Sequence, residues 1–176
     1  MAVTRGHGEV MEILLSCGCS VRMCDHEGFS LLCLAVIHGH GARIRALLDR
    51  GAMQDESVRE ERQSARIGHR NSAIQIAAWL GRRDLVVTLL HSGSEPISPS
   101  AKQMQNAVQS ALQQGHKDII PLLVDYGVDL NFWFRDACFP GECSPLLWAV
   151  AEGDLHLAAL LLGSGKADAN YLLVGK

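Results

Sequence analysis

Six cysteines, at positions 17, 19, 24, 33, 138 and 143, and the pair His38 and His40 are the side chains with the chemistry to bind a metal or attack a substrate. A structural zinc needs four convergent ligands and a catalytic one three, usually drawn from closely spaced pairs. Cys17, Cys19 and Cys24 lie across one turn, but no second cluster completes the pattern beside them. Cys138-x4-Cys143 is far along the chain, at the other end of any elongated stack. No carboxylate or thiol follows His38-Gly39-His40 at ligand spacing. No phosphate-cradling glycine loop, nucleophile elbow or His-Glu-x-x-His occurs. The chain therefore reads as a non-enzyme that needs no metal and no cofactor, and no small-molecule substrate is expected. A disulfide framework belongs to secreted proteins. Residues 1–10 carry Arg5, His7 and Glu9 where a signal peptide needs its apolar core. The cysteines read as reduced thiols of an intracellular protein, cytoplasmic or nuclear.

What must position these side chains is a repeated element. The 176 residues suit one domain, 48% of them are hydrophobic, and only 5% are aromatic. That balance, filled by Leu, Ala, Val and Ile, suits stacked helices. A net charge of -3 excludes a generally basic nucleic-acid-binding surface. No apolar run approaches the roughly 20 residues that span a bilayer.

Glycines twelve residues apart recur at Gly6/Gly18, Gly39/Gly51, Gly81/Gly93, Gly115/Gly127 and Gly153/Gly165. An aliphatic cluster sits at one offset between each pair: Ile13-Leu14-Leu15, Ala46-Leu47-Leu48, Thr88-Leu89-Leu90, Leu122-Leu123-Val124 and Leu160-Leu161-Leu162. A second apolar segment precedes each of the last four first-glycines, as in Leu32-Cys33-Leu34-Ala35-Val36 and Leu146-Leu147-Trp148-Ala149-Val150. The spacing predicts two short helices per unit, each ending at a glycine that accepts positive φ. Neither helix is stable alone, so each must bury its apolar stripe on its partner and on the next unit. Ser30, Ser72, Asn106 and Ser144 stand nine residues before a first glycine and are predicted N-caps. Pro145 follows at the first helical position, where its missing donor is harmless.

In these residues the chain resembles an ankyrin-repeat protein. Ser144-Pro145-Leu146-Leu147-Trp148-Ala149 is similar to the family's Thr-Pro-Leu-His-x-Ala helix start, and Gly6-His7, Gly39-His40 and Gly115-His116 to its Gly-His turn. Gly127-Val128-Asp129-Leu130-Asn131 and Lys166-Ala167-Asp168-Ala169-Asn170 resemble its Gly-Ala-Asp-x-Asn exit. The resemblance implies an all-α solenoid of about five helix-turn-helix units, approximately 1–24 (partial), 25–53, 54–95, 96–131 and 132–170. The family's helix-start histidine is replaced by Cys33, Gln75, Gln109 and Leu147, which alters its usual bonds between neighbouring units. Two inter-unit loops are enlarged, about 54–71 and 132–143. The first unit has only the tail of its first helix, and after Asn170 no polar capping helix follows. The sequence thus reads as a segment of a longer protein or a truncated product.

Ankyrin-like proteins usually meet protein partners at the loop tips and the concave face of the first helices. The matching positions are the two residues before each first glycine: Ile37, His38, Trp79, Leu80, Gln113, Gln114, Ala151 and Glu152, with Trp79 as the strongest anchor. Two further features are candidates. Arg59, Arg62, Arg66 and Arg70 fall on one helical face of the first enlarged loop. They form either an anion-binding patch or, interleaved with Glu56, Glu60 and Glu61, a self-paired solvated segment. Phe132, Trp133, Phe134 and Phe139 share the second enlarged loop, either as a binding tip or folded back over their neighbours. The segments Leu123-x5-Asp129-x-Asn131 and Leu162-x5-Asp168-x-Asn170 are similar to a pattern hydroxylated on asparagine in some ankyrin proteins; an Asx turn is the plainer reading. The expected function is non-catalytic protein–protein recognition. The alternatives are a substrate-recruiting adaptor of a larger complex such as a ubiquitin ligase, or a cysteine-based metal-binding or enzymatic protein.

Overall fold

The computed structural model describes residues 20–21, 29–52, 72–91, 99–136, 139 and 141–173. Its helices come in pairs. Helices α1 (Leu31–Ile37) and α2 (Gly41–Asp49) form one pair, and α3 (Ala73–Trp79) and α4 (Arg83–His91) the next. Then come α5 (Ala101–Gln113), a 3-10 turn (Lys117–Ile119) and α6 (Ile120–Asp125). A two-stranded antiparallel hairpin, β1 (Phe134–Arg135) and β2 (Glu142–Cys143), precedes α7 (Pro145–Ala151) and α8 (Leu155–Gly163), and a 3-10 turn (Ala169–Leu173) follows. First helices stack on first helices, α1 on α3, α3 on α5 and α5 on α7, while α2 stacks on α4. This is the all-α solenoid expected of the sequence.

Local chemistry sets each unit. Ser30, Ser72 and Ser144 accept a hydrogen bond from the backbone N–H three residues on, so the first helices start where a hydroxyl can satisfy an orphan donor. Pro145 occupies the first position of α7 and is buried. At the other end, the N–H of the residue after the first glycine reaches back to an alanine carbonyl: His40 to Ala35, Arg82 to Ala77, His116 to Ala111 and Asp154 to Ala149, at 2.8–2.9 Å. This closes a Schellman-type turn and holds the glycine at positive φ. All seven positive-φ residues described, Gly39, Gly51, Gly81, Gly115, Gly127, Gly153 and Gly165, belong to the twelve-residue pairs. The four alanines are fully buried, since only a methyl group fits where stacked first helices approach.

One expected cap is corrected. Asn106 lies inside α5, half-buried, and the helix begins six residues earlier with Ser100 as its cap. Ser100 Oγ accepts from the Gln103 N–H at 3.3 Å, and Gln103 Oε1 accepts from the Ser100 N–H at 2.7 Å. This reciprocal capping box leads Ala101-Lys102-Gln103-Met104-Gln105, a run of strong helix formers with no breaker before Asn106. Gln103 and Met104 are buried, so packing also favours the extra turn and a half.

Candidate functional site

The repeated turn puts the residues just before each first glycine in line along the stack. His38, Leu80, Gln114 and Glu152 are the C-caps of α1, α3, α5 and α7, each with its N–H bonded back to the helix. Their side chains differ completely while the backbone beneath them is the same. His38, Gln113, Gln114, Ala151 and Glu152 are exposed; Ile37 and Leu80 are half-buried and pack against the core. Trp79, 38% exposed, is the largest apolar side chain on this ridge, flanked by Ile37 on one side and Gln113 on the other. The ridge is continuous because α1, α3, α5 and α7 stack in order.

Beside the ridge runs a second row, made by the residues after the first glycines. The Arg82 guanidinium lies over Gly39 and the His116 ring over Gly81, each reaching one unit back. Between the last two units the link is ionic: Lys117 Nζ is 2.6 Å from Asp154 Oδ2. Asp154 also accepts from the Leu157 N–H at 3.0 Å, capping α8. That backbone donor, followed by the Lys117 ammonium, holds its carboxyl below the usual carboxylate range. The His38 and His40 rings stack at 6.1 Å. Among the described residues no three His, Cys, Asp or Glu side chains are grouped to hold a metal.

The aromatic loop divides by strand periodicity. Phe132 and Phe134 are buried, with ring centroids 5.9 Å apart, and Phe134 pairs across the hairpin with buried Cys143. Trp133 and Arg135 point to the opposite side, as alternation along an extended chain requires. Phe132 and Phe134 are thus removed from the candidate contact surface, having folded back into the core. Trp133 is half-buried and stacks on Tyr171 at 5.3 Å and 26°. Phe139 is half-buried against the core. The Gln113 side chain donates to the Arg135 carbonyl at 2.9 Å, tying the hairpin to the end of α5. The hairpin therefore braces the ridge and leaves one edge of Trp133 at the surface.

Arg59, Arg62, Arg66 and Arg70, together with Cys17, Cys19, Cys24 and Cys138, lie outside the described residues. Cys33 and Cys143 are buried and joined in no disulfide, and burial, with a smaller contribution from Asp136, pushes the Cys143 thiol up to about 11. Among the described residues no helix is long and apolar enough to cross a membrane. A group of exposed apolar side chains on the last helix pair, Val150, Leu155 and Leu162, was not expected from the sequence. The signal was present: Val150 and Leu162 stand three residues before their glycines, as buried Val36 and Leu48 do in their own unit.

The family described as ankyrin repeats (3 copies) matches residues 1–100 and 74–171. Ankyrin repeat and SAM domain-containing protein 6 of Danio rerio is 28% identical over 162 residues, which is 92% of this chain and 20% of that protein. A protein of Treponema pallidum (strain Nichols), named for its ankyrin repeats, is 30% identical over 129 residues, 72% of this chain and 40% of that protein. The chain thus spans less than half the length of either relative. Among solved structures, the ankyrin repeat domain of Bcl-3 superposes with a TM-score of 0.73 at 21% identity, covering 97% of this chain and 72% of that one. That likeness concerns the fold.

Proposed function

Because the chain belongs to the ankyrin-repeat family, whose repeats are generally protein-interaction modules and typically non-catalytic, we propose that it recognises a protein partner through the ridge at the ends of its first helices. The observation that carries this reading is Trp79, held 38% exposed at the last position of α3, beside the C-cap Leu80. Tryptophan combines a large apolar face with few rotatable bonds, so ordering it against a partner costs little entropy. His38, Gln113, Gln114 and Glu152, exposed at the same turn of the other units, add donors and acceptors of mixed character along the ridge. Trp133 and Phe139 remain secondary contacts of the same interface, reached across the hairpin. The arginines of the first enlarged loop would steer an acidic partner segment. Buried thiols at Cys33 and Cys143 support an intracellular setting.

The test is capture of partners with the chain as bait, followed by a hydrogen-exchange footprint of the complex. Protection confined to residues 36–40, 78–82 and 112–116 supports the ridge. Protection confined to the second helices, α2, α4 and α6, removes it.

A further inference from the structure

Beyond α6 the chain alternates strictly from Val128 to Arg135. Val128, Leu130, Phe132 and Phe134 are buried, while Asp129, Asn131, Trp133 and Arg135 turn outward. The four inward side chains fix this stretch to the core, and the Gln113 side chain holds its far end through the Arg135 carbonyl. The outward side chains therefore stand in a row on a firm base, successive members roughly 7 Å apart by the rise of an extended chain. An amide and an indole at that spacing can hold a peptide laid along the row, the amide through main-chain groups and the indole through a ring face.

The segment that leaves α8 already lies there. Asn131 donates through Nδ2 to the Lys166 carbonyl at 3.2 Å and accepts through Oδ1 from the Asp168 N–H at 2.8 Å. Trp133 stacks on Tyr171, with ring centroids 5.3 Å apart and 26° between planes. The two ends of the segment are held unequally. Ala167 packs against the core, and the Lys166 ammonium lies against Gly127. From Asp168 onward the anchors to Asn131 and Trp133 are one hydrogen bond and one ring stack. Asp168, Ala169 and Asn170 are exposed, and the Asp168 carboxylate is turned on its own segment, accepting from the Asn170 N–H at 2.8 Å.

We propose that Asn131 and Trp133 form a binding site for a tyrosine-bearing peptide segment, and that residues 168–171 are its displaceable occupant in cis. The strap lifts from Asp168 onward and leaves Lys166 and Ala167 in place. That frees Asn131 Oδ1 and the Trp133 face, while the Lys166 carbonyl keeps the Asn131 amide oriented. The incoming segment offers a backbone N–H to Asn131 and a tyrosine ring three residues later to Trp133, the spacing of Asp168 and Tyr171. The N–H gives affinity without side-chain identity, and the indole selects the aromatic ring. Tethering holds the strap at an effective concentration on the order of millimolar, so a partner segment must compete with it. The site lies apart from Trp79, and a peptide titration reads it whether or not the ridge binds a partner.

The experiment titrates the full chain with the synthetic peptide acetyl-Asp-Ala-Asn-Tyr-Leu-Leu-amide, which copies residues 168–173, and with the same peptide carrying alanine for tyrosine. The readout is the indole N–H resonance of Trp133, one of three tryptophans, assigned with Trp133→Phe. Tyr171→Ala is expected to keep the helical circular dichroism of the wild type and to shift this resonance. The tyrosine peptide is expected to bind the Tyr171→Ala chain saturably and to move the resonance back. Its affinity for the wild type is expected to be weaker by about tenfold, as for a site open about a tenth of the time. Tyr171→Phe, which keeps a ring over Trp133, is expected to match the wild type. Equal affinity for wild type and Tyr171→Ala overturns the proposal, as does no binding, or equal binding of the alanine peptide. A Tyr171→Ala chain that loses its fold also overturns it, since the segment would then be a fixed part of the stack.

Discussion

The His116 imidazole lies over Gly81: a Cβ built on that glycine would stand 2.5 Å from the ring's Cε1 and 2.7 Å from Nδ1. Gly81 belongs to the turn of one unit and His116 to the turn of the next, so a glycine chosen for its backbone also makes room for the neighbouring unit. Gly165 has the same backbone need, φ +66 against +70, but no atom within 4 Å of its would-be Cβ. Gly165→Ala is expected to lower stability by about 1–2 kcal/mol, the cost of a side chain in the left-handed region. Gly81→Ala adds displacement of the imidazole, on the order of 1 kcal/mol more. Urea denaturation of both variants, repeated in a His116→Ala background, checks this. If the excess at Gly81 persists without the imidazole, the ring does not cause it.

Phe134 and Trp133 are neighbours with opposite duties. Phe134→Ala leaves a cavity beneath the hairpin and is expected to lower stability by about 3 kcal/mol. Trp133→Ala removes a partly exposed stacking contact with Tyr171, expected to matter by only about 1 kcal/mol. A Trp133 loss as large as that of Phe134 would mean that the hairpin alternation is misassigned.

Asp154 predicts a pH dependence of definite sign. Its folded pKa is depressed below the usual 3.8 by the Leu157 N–H and by Lys117. The stabilisation is therefore present above that value and is lost as the pH falls through the lowered folded value. Asp154→Asn should be less stable than the wild type at neutral pH, and the gap should close in acid. Chemical denaturation at a series of pH values reads this directly. A gap that widens below pH 3.8 contradicts it.

Cys143, its thiol pushed up to about 11, and buried Cys33 should resist alkylation at about pH 8 in the native chain and react promptly in urea. Peptide mass spectrometry separates them from the other cysteines. Native labelling of Cys143 at the unfolded rate would show that the hairpin does not close over it.

Much of this arrangement is written in local chemistry. Gly39, Gly81, Gly115 and Gly153, and the caps Ser30, Ser72 and Ser144, are legible because one residue's backbone preference decides each. Asn106 misleads because a fixed offset ignores what lies upstream, where Ser100 and Gln103 start the helix sooner. The inward turn of Phe132 and Phe134 is a tertiary outcome: alternation separates them from Trp133, but only packing decides which side faces the core. The exposure of Val150 and Leu162 is less local still, since it depends on a neighbour and their own helices look like the others. On the ridge, position is legible from the repeat, but how far each side chain protrudes is not. Leu80 sinks toward the core where Trp79 beside it stays exposed.

The role proposed for Trp79, anchoring a protein partner on the first-helix ridge, is tested by calorimetric titration of a captured partner against wild type and Trp79→Ala. Urea denaturation of both chains runs in parallel. An anchor at Trp79 predicts a loss of binding of about 2 kcal/mol or more, with a smaller change in folding stability. Unchanged affinity in a fully folded Trp79→Ala chain would contradict it.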